Sequence, residues 1–256
     1  MSESVIYEPR GAAREYAALA VNLYDGCPHG CKYCYAPACL HKTREAFHAA
    51  AAPRKGILSR LERDVEKLAG DERRVLLCFT CDPYPDCELE HGVTRRALEI
   101  LDANHVDVSV LTKNGMVARR DFDLYQRNET EFGATICFAD ERLLDEWEPG
   151  APSIASRMNA IASASRLGIQ TWVSVEPVIS PLQAWRVMEL LRDHVDVWKV
   201  GKLNHMAIAG LAVDWQQFLA GTLELMDRRG MNYQIRDALW AHANDAIKAR
   251  WPQATV

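Results

Sequence analysis

The residues best suited to chemistry lie close together near the start of the chain: Cys27, Cys31 and Cys34, at the spacing C-x3-C-x2-C, within the stretch Asn22-Leu23-Tyr24-Asp25-Gly26-Cys27-Pro28-His29-Gly30-Cys31-Lys32-Tyr33-Cys34-Tyr35. Gly26, Pro28 and Gly30 mark a loop, which can turn three thiolates toward one point without any of them leaving a rigid element. Thiolates grouped in this way hold metal. An iron–sulfur cube has four irons, so three cysteine ligands leave one iron open to a group that is not protein, and an open iron is a catalytic feature. Zinc, or a closed redox cluster, would need a fourth protein ligand, for which His29, Cys39 and His41 are the nearby candidates.

Something must deliver that loop. Ala17 to Leu23 reads as a short buried strand running into it, and a ligand loop at the C-terminal end of a strand is how parallel α/β folds build sites. His41 to Ala52 is polar and Ala-rich, with only a weak helical signal. From Pro53 the alternation becomes regular. Pro53 suits a first helical turn, Ile57, Leu58, Leu61, Val65 and Leu68 recur at helical spacing, and Gly70 marks the stop. Val75 to Thr80, Val106 to Thr112, Phe132 to Phe138, Ile169 to Val175 and Val195 to Val200 read as further buried strands. Helical stripes fall between them: Val93, Ala97, Leu98 and Leu101; Ile154, Met158, Ile161 and Leu167; Leu182, Trp185, Met188 and Leu191. Asp121 to Gln126 is at most a short helix. Ser180 and Pro181 supply a cap and a first-turn proline, and Asp214 with Gln217 resembles a capping box for a helix that stops near Gly230.

The strand–helix unit occurs about six times, with connections suited to right-handed parallel crossovers. The predicted fold is α/β, a partial (β/α)6 TIM-like barrel of parallel strands with outer helices and the cluster loop after the first strand. Residues 1–16 are expected to form an N-terminal arm, 17–230 the barrel, and 231–256 a closing segment with a short strand or loop and a helix.

Composition narrows the class. The chain has 256 residues, 48% of them hydrophobic, enough to bury a full core. It shows no charged-then-apolar leader and no run of about 18 apolar residues, so a cytoplasmic protein without a membrane span is expected. Three of the eight cysteines sit in one loop and the rest are scattered, which fits reduced thiols better than a disulfide framework. A net charge of −5 argues against a surface that grips phosphate backbone everywhere, while leaving a local basic groove open.

Cys27, Cys31 and Cys34, with Tyr33 just before the third, resemble the signature of the radical S-adenosylmethionine (SAM) enzymes, and Tyr33-Cys34-Tyr35 is similar to the spore photoproduct lyase-like branch. Asp82-Pro83-Tyr84, Thr112-Lys113-Asn114, Glu176-Pro177, Gly201-Lys202-Leu203-Asn204 and Tyr233-Gln234-Ile235-Arg236-Asp237-Ala238-Leu239 are similar to the same branch, so the resemblance covers Ala17 to Leu239. It implies a [4Fe-4S] cluster held by Cys27, Cys31 and Cys34, with SAM chelating the free iron. An electron from an external donor of the flavodoxin or ferredoxin type then cleaves SAM to a 5′-deoxyadenosyl radical that abstracts hydrogen. The first-choice substrate is a nucleic-acid lesion or modified base. A small molecule or peptide is the second choice, and a non-catalytic or redox metal protein with a closed cysteine site is the alternative outside enzymes.

Barrel sites form at the C-terminal strand ends, so the polar residues there are the candidates for SAM. Lys113 suits its carboxylate, Thr80 and Asp82 its ammonium, and Glu176 its ribose or a substrate group. The backbone at Tyr33 and at Gly201 borders the adenine, and Thr135 completes the rim. Each has an ordinary structural explanation when taken alone: Asp82-Pro83 and Glu176-Pro177 as turn chemistry, Lys113 as a solvated strand-end lysine. Spore photoproduct lyases are longer than this chain, repair a thymine dimer in DNA and use a cysteine as hydrogen-atom donor. Among Cys78, Cys81, Cys87 and Cys137, Cys81 beside Asp82 is the candidate donor, although a cysteine near an apolar strand is usually a packed hydrophobe. Arg73-Arg74, Arg95-Arg96, Arg119-Arg120 and Arg228-Arg229 are expected to be ordinary surface charge.

Overall fold

Short runs of valine, leucine and alanine become fully covered strands because both faces of a parallel sheet are buried. The chain is described by a computed structural model over residues 4–203 and 213–252. Nine strands occur among the described residues: β1 (Leu19–Val21), β2 (Tyr24–Asp25), β3 (Ala52–Pro53), β4 (Val75–Leu77), β5 (Val108–Thr112), β6 (Glu131–Thr135), β7 (Thr171–Val178), β8 (Val197–Lys202) and β9 (Tyr233–Ile235). Seven form one sheet in the order β1-β4-β5-β6-β7-β8-β9. Every pair in it is parallel. Because this order follows the chain without reversal, each crossover advances the same way, as in a barrel rather than a doubly wound sheet. The fold is the partial barrel expected, with β9 as a seventh strand from the closing segment.

Register gives the sheet two faces. Ala20 lies opposite Leu76, Gly133 opposite Trp172, and Trp172 opposite Val197. Ala20, Leu76 and Trp172 form a small cluster joined by Tyr7, Tyr16, Phe79, Leu111 and Val197, which is the inner face. The large core lies on the other face, where helices such as Val93–Ala103, Ile154–Arg166, Pro181–Leu191 and Trp215–Arg229 bury their apolar sides. Residues 4–16 lie along and between the sheet's two ends. Tyr7 bridges to Ala20 antiparallel, and Arg236, just beyond β9, places its guanidinium 4.1 Å from the Tyr16 ring.

Several local expectations change. Pro53 does not start a helix: β2 and β3 pair as a small antiparallel ribbon, Tyr24 opposite Pro53, and the helix begins at Ile57 after Gly56. The strand expected to reach Thr80 leaves its ladder at Leu77 because Asn22 Oδ1 accepts the N–H groups of Phe79 (2.9 Å) and Thr80 (2.8 Å). Alternation ends there, so Cys78 joins the large core while Phe79 joins the inner face. Ser180 occupies the N-cap position without a side-chain cap bond, whereas Asp214 does cap, accepting from Gln217 N–H at 2.9 Å. The stretch 41–52 contains a helix, Arg44–His48, capped by Thr43.

The arginine pairs are less ordinary than expected. Arg120 meets the fully buried Glu88 at 2.6 Å, and Arg95 and Arg120 meet the fully buried Asp121 at 3.1 and 2.9 Å. These cations balance interior acids, as burial of a carboxylate requires. Among the described residues no helix is long and apolar enough to cross a membrane.

Candidate metal and cofactor site

The cysteine loop leaves β1 through Asn22, whose side chain spans outward and inward at once: Nδ2 donates to Tyr7 Oη at 2.8 Å while Oδ1 holds the end of β4. Gly26 is required at the turn, since its φ is +80° and a Cβ there would come 2.1 Å from the Ala50 carbonyl. The helix Arg44–His48 then clamps the loop backbone. Arg44 donates to the carbonyls of Cys31 (2.6 Å) and Cys34 (3.1 Å), and His48 Nδ1 lies 2.8 Å from the Cys27 carbonyl.

All three thiols are free of disulfides. Burial pushes each upward, Cys31 to about 11, with the neighbouring Asp82 charge adding to the effect at Cys27. Thiolates desolvated in this way call for bound cationic metal to hold them ionised. Among the described residues no three His, Cys, Asp or Glu side chains converge as a single metal ion would need. A four-iron cube places its cysteines on separate irons and does not ask for that convergence. His29 is turned elsewhere, with Nδ1 3.6 Å from Asp82 Oδ2, and Cys39 and His41 are exposed.

Asp82 joins the cysteine loop to the ends of β4 and β5. Its Oδ1 accepts from Tyr84 N–H (2.8 Å) and the Thr112 hydroxyl (2.6 Å), and its Oδ2 from Lys113 N–H (2.8 Å). The carboxylate expected to meet an ammonium is therefore spent largely on internal donors. Next to it, Thr80 Oγ1 is buried with no partner, an unmet polar atom at the same strand end. The Lys113 ammonium stands 5.5 Å from the Tyr33 ring centre and makes no hydrogen bond or ion pair among the described residues. Burial works against its charge, but Cys31, once ionised, and Glu148 outweigh it and push its value up.

Beneath Lys113 lies a pair that sequence reasoning missed. Arg157 Nη1 meets Glu148 Oε2 at 2.6 Å, with side chains 1% and 0% exposed. Tyr33 donates its hydroxyl to Glu148 Oε1. Arg157 also donates to the Thr135 carbonyl at 3.1 Å and to the Pro152 carbonyl at 2.9 and 3.1 Å. Burial alone would raise the Glu148 carboxyl, but the Arg157 and Lys113 charges hold it below its ordinary range. A signal was available: Arg157 falls on the apolar stripe of its helix, between Ile154 and Ile161, where a solvated arginine has no place.

The β7 and β8 side of the rim is a second group. Glu176 accepts from the Tyr16 hydroxyl at 2.6 Å and lies 3.3 Å from Arg236 Nε, and burial pushes its carboxyl up against both. Gly201 makes room for it, because a Cβ there would sit 2.5 Å from Glu176 Cδ. Thr135 ends β6 between the two groups, its side chain buried. Cys81, proposed as hydrogen donor, belongs to the large core together with Cys78; Cys137, by contrast, lies 4.0 Å from Tyr33 Oη. Asn204 lies outside the described residues.

The family model of the radical SAM superfamily matches residues 21–194. This chain belongs to the radical SAM superfamily. Members of that superfamily use a [4Fe-4S] cluster and SAM, and the thiol loop, the unmet Thr80 hydroxyl and the unpaired Lys113 ammonium fit a cluster and a zwitterionic ligand. An uncharacterized protein of Methanocaldococcus jannaschii is 27% identical over 168 residues, 65% of this chain and 62% of the relative's own length. The chain thus spans less than two thirds of that relative. In structure, a spore photoproduct lyase complexed with dinucleoside spore photoproduct aligns with TM-score 0.65 and 16% identity over 90% of this chain and 79% of that one. Streptococcus suis SuiB bound to S-adenosylmethionine aligns with TM-score 0.65 and 11% identity over 87% of this chain and 51% of that one. SuiB is also described bound to its precursor peptide SuiA. At such identities these likenesses speak for the radical SAM fold alone.

Proposed function

We propose that this chain is a radical SAM enzyme of the spore photoproduct lyase-like branch, acting by hydrogen abstraction on a nucleic-acid lesion or modified base. The observation that carries the reading is the placement of Cys27, Cys31 and Cys34 beside a strand rim that offers an unpaired ammonium, Lys113, and an unmet hydroxyl, Thr80. In this reading the three thiolates hold the cluster, Lys113 meets the SAM carboxylate, and Thr80 accepts from its ammonium. Asp82 holds the two strand ends at the spacing that this requires, with one lone pair of Oδ2 left over. Glu176 and Gly201 border the ribose and adenine, and Tyr33 supports Lys113 from below. Bound together, the cluster and SAM supply one-electron cleavage of a carbon–sulfur bond and hence a radical able to take hydrogen from carbon.

The electron comes from an external donor of the flavodoxin or ferredoxin type. The likeness to SuiB, whose structure is described with a precursor peptide, favours a peptide as the second reading of the substrate. Anaerobic reconstitution with iron, sulfide, SAM and dithionite, followed by measurement of 5′-deoxyadenosine with irradiated oligonucleotides or peptides, tests both. The nucleic-acid reading requires that the oligonucleotides raise SAM turnover; stimulation by peptide alone overturns it. Cys39→Ala must keep the iron content of wild type, and its loss would place a fourth protein ligand on the metal.

A further inference from the structure

The Glu148–Arg157 pair demands a reason. Taking both ions out of water costs more than their attraction commonly returns, and an apolar pair of the same shape is often as stable or more so. Both side chains are buried. Their setting supplies the reason. Glu148 is the acid whose charge Lys113 feels most strongly among the nearby carboxylates, and the Lys113 ammonium hangs over the ring of Tyr33, which itself donates to Glu148. A lysine on a flexible four-carbon stem beside a buried carboxylate would ordinarily close on it. Here both carboxylate oxygens already have a partner, Oε1 the Tyr33 hydroxyl in a hydrogen bond and Oε2 the Arg157 guanidinium in an ion pair that lacks hydrogen-bond alignment. Arg157 cannot drift away, because its other two nitrogens, Nε and Nη2, are fixed on the Pro152 carbonyl and Nη1 itself also donates to the Thr135 carbonyl.

We propose that Arg157 is a positioning residue that keeps Lys113 free: by closing on Glu148 it denies Lys113 an internal carboxylate, and the ammonium stays available for the carboxylate of the bound cofactor. This inference rests on the assignment of Lys113 to SAM. It explains why the rim lysine is unpaired although an acid lies close by. It also gives Tyr33 of the cysteine motif a task, since its hydroxyl takes the carboxylate oxygen that Arg157 leaves.

The test compares SAM affinity, by equilibrium dialysis on anaerobically reconstituted protein of verified iron content, in three variants. Arg157→Met frees Glu148 to capture Lys113 and should weaken SAM binding about tenfold, within the range for coupled neighbours. Glu148→Gln with Arg157→Met loses the same arginine contacts to Thr135 and Pro152 but leaves no charge to capture Lys113, so affinity should return to within about threefold of wild type. Should Arg157→Met fail to fold with its uncompensated acid, the double variant, which buries no charge, still decides. Wild-type affinity in Arg157→Met, or a double variant as weak as the single one or weak by itself, overturns the proposal. Lys113→Met separates the two ideas. If it binds SAM like wild type, the assignment of Lys113 is wrong; if it binds weakly while Arg157→Met does not, that assignment stands and the role of Arg157 falls.

Discussion

Removing the Asp82 carboxylate should destabilise the protein even when no cofactor is added. Asp82 is 8% exposed and accepts from Tyr84 N–H, Lys113 N–H and the Thr112 hydroxyl at 2.8, 2.8 and 2.6 Å. Hydrogen bonds to a charged group are worth about 1.5–3 kcal/mol each, and buried donors left unmet cost about 1–3 kcal/mol each. Water entering the space of the lost side chain recovers part of this, so Asp82→Ala should lose about 3–5 kcal/mol. For a domain of this size each kcal/mol moves the midpoint about 2–4 °C, which puts the shift on the order of 10 °C. Asp82→Asn keeps an oxygen for Tyr84 and Thr112 but turns an amide N–H₂ toward Lys113 N–H, donor against donor, and should fall between the two. Urea unfolding of cluster-free protein, followed by circular dichroism, measures all three. A loss under about 1 kcal/mol in Asp82→Ala would mean that the carboxylate does not join the strand ends, and its place as an internal acceptor would have to be given up.

Lys199 gives a pH prediction: burial between Trp172 and Tyr16 lowers its value to about 8 from 10.5, so the unfolded chain binds that proton more tightly. Its contribution to stability therefore rises as pH climbs from about 8 to 10.5, and Lys199→Met should remove that rise and be more stable at pH 7, as read by thermal melts across the window. Tyr16→Phe deletes hydroxyl bonds to Glu176 (2.6 Å) and Ser174 (2.8 Å) and should cost about 1–2 kcal/mol in denaturant melts; an unchanged midpoint would show that these bonds are not held in solution. Gly201→Ala forces a Cβ to within 2.5 Å of Glu176 Cδ and should cost about 1–3 kcal/mol, with a weakened SAM affinity if Glu176 is displaced from the ribose.

The barrel and its rim were legible because they rest on local signals: apolar runs for strands, helical stripes between them, and polar residues at each strand's end. What supports the rim was not. Asn22, Arg44, Glu148 and Arg157 act on residues brought near by the fold, and a periodic pattern carries no partner information. Arg157 came nearest to being readable, as a charge on an apolar stripe, yet its partner Glu148 sits outside that helix. The face that Cys78 takes was hidden for a related reason: alternation assumes that a ladder continues, and Asn22 ends this one at Leu77. The arginine pairs were taken for surface charge because the acids they serve, Glu88 and Asp121, are invisible as buried groups until the helices pack.

The seam between β1 and β9 also bears on how the chain acquires its structure. Arg236 holds the Ala12 carbonyl, 224 positions away, and Asp237 N–H is held by Glu15, 222 positions away. A ribosome makes the first partners long before the second, so nothing emerging early can complete this seam. Contacts of such separation slow folding, since the loop they close is costly before it yields any attraction. During synthesis, the Tyr16 ring and the β8 edge of the growing sheet stay uncovered by Arg236 and β9 until the last strand is released. The cysteine loop, whose clamp at Arg44 and His48 reaches it across only 10 to 21 positions, is under no such delay and can take its shape while most of the barrel is still unmade.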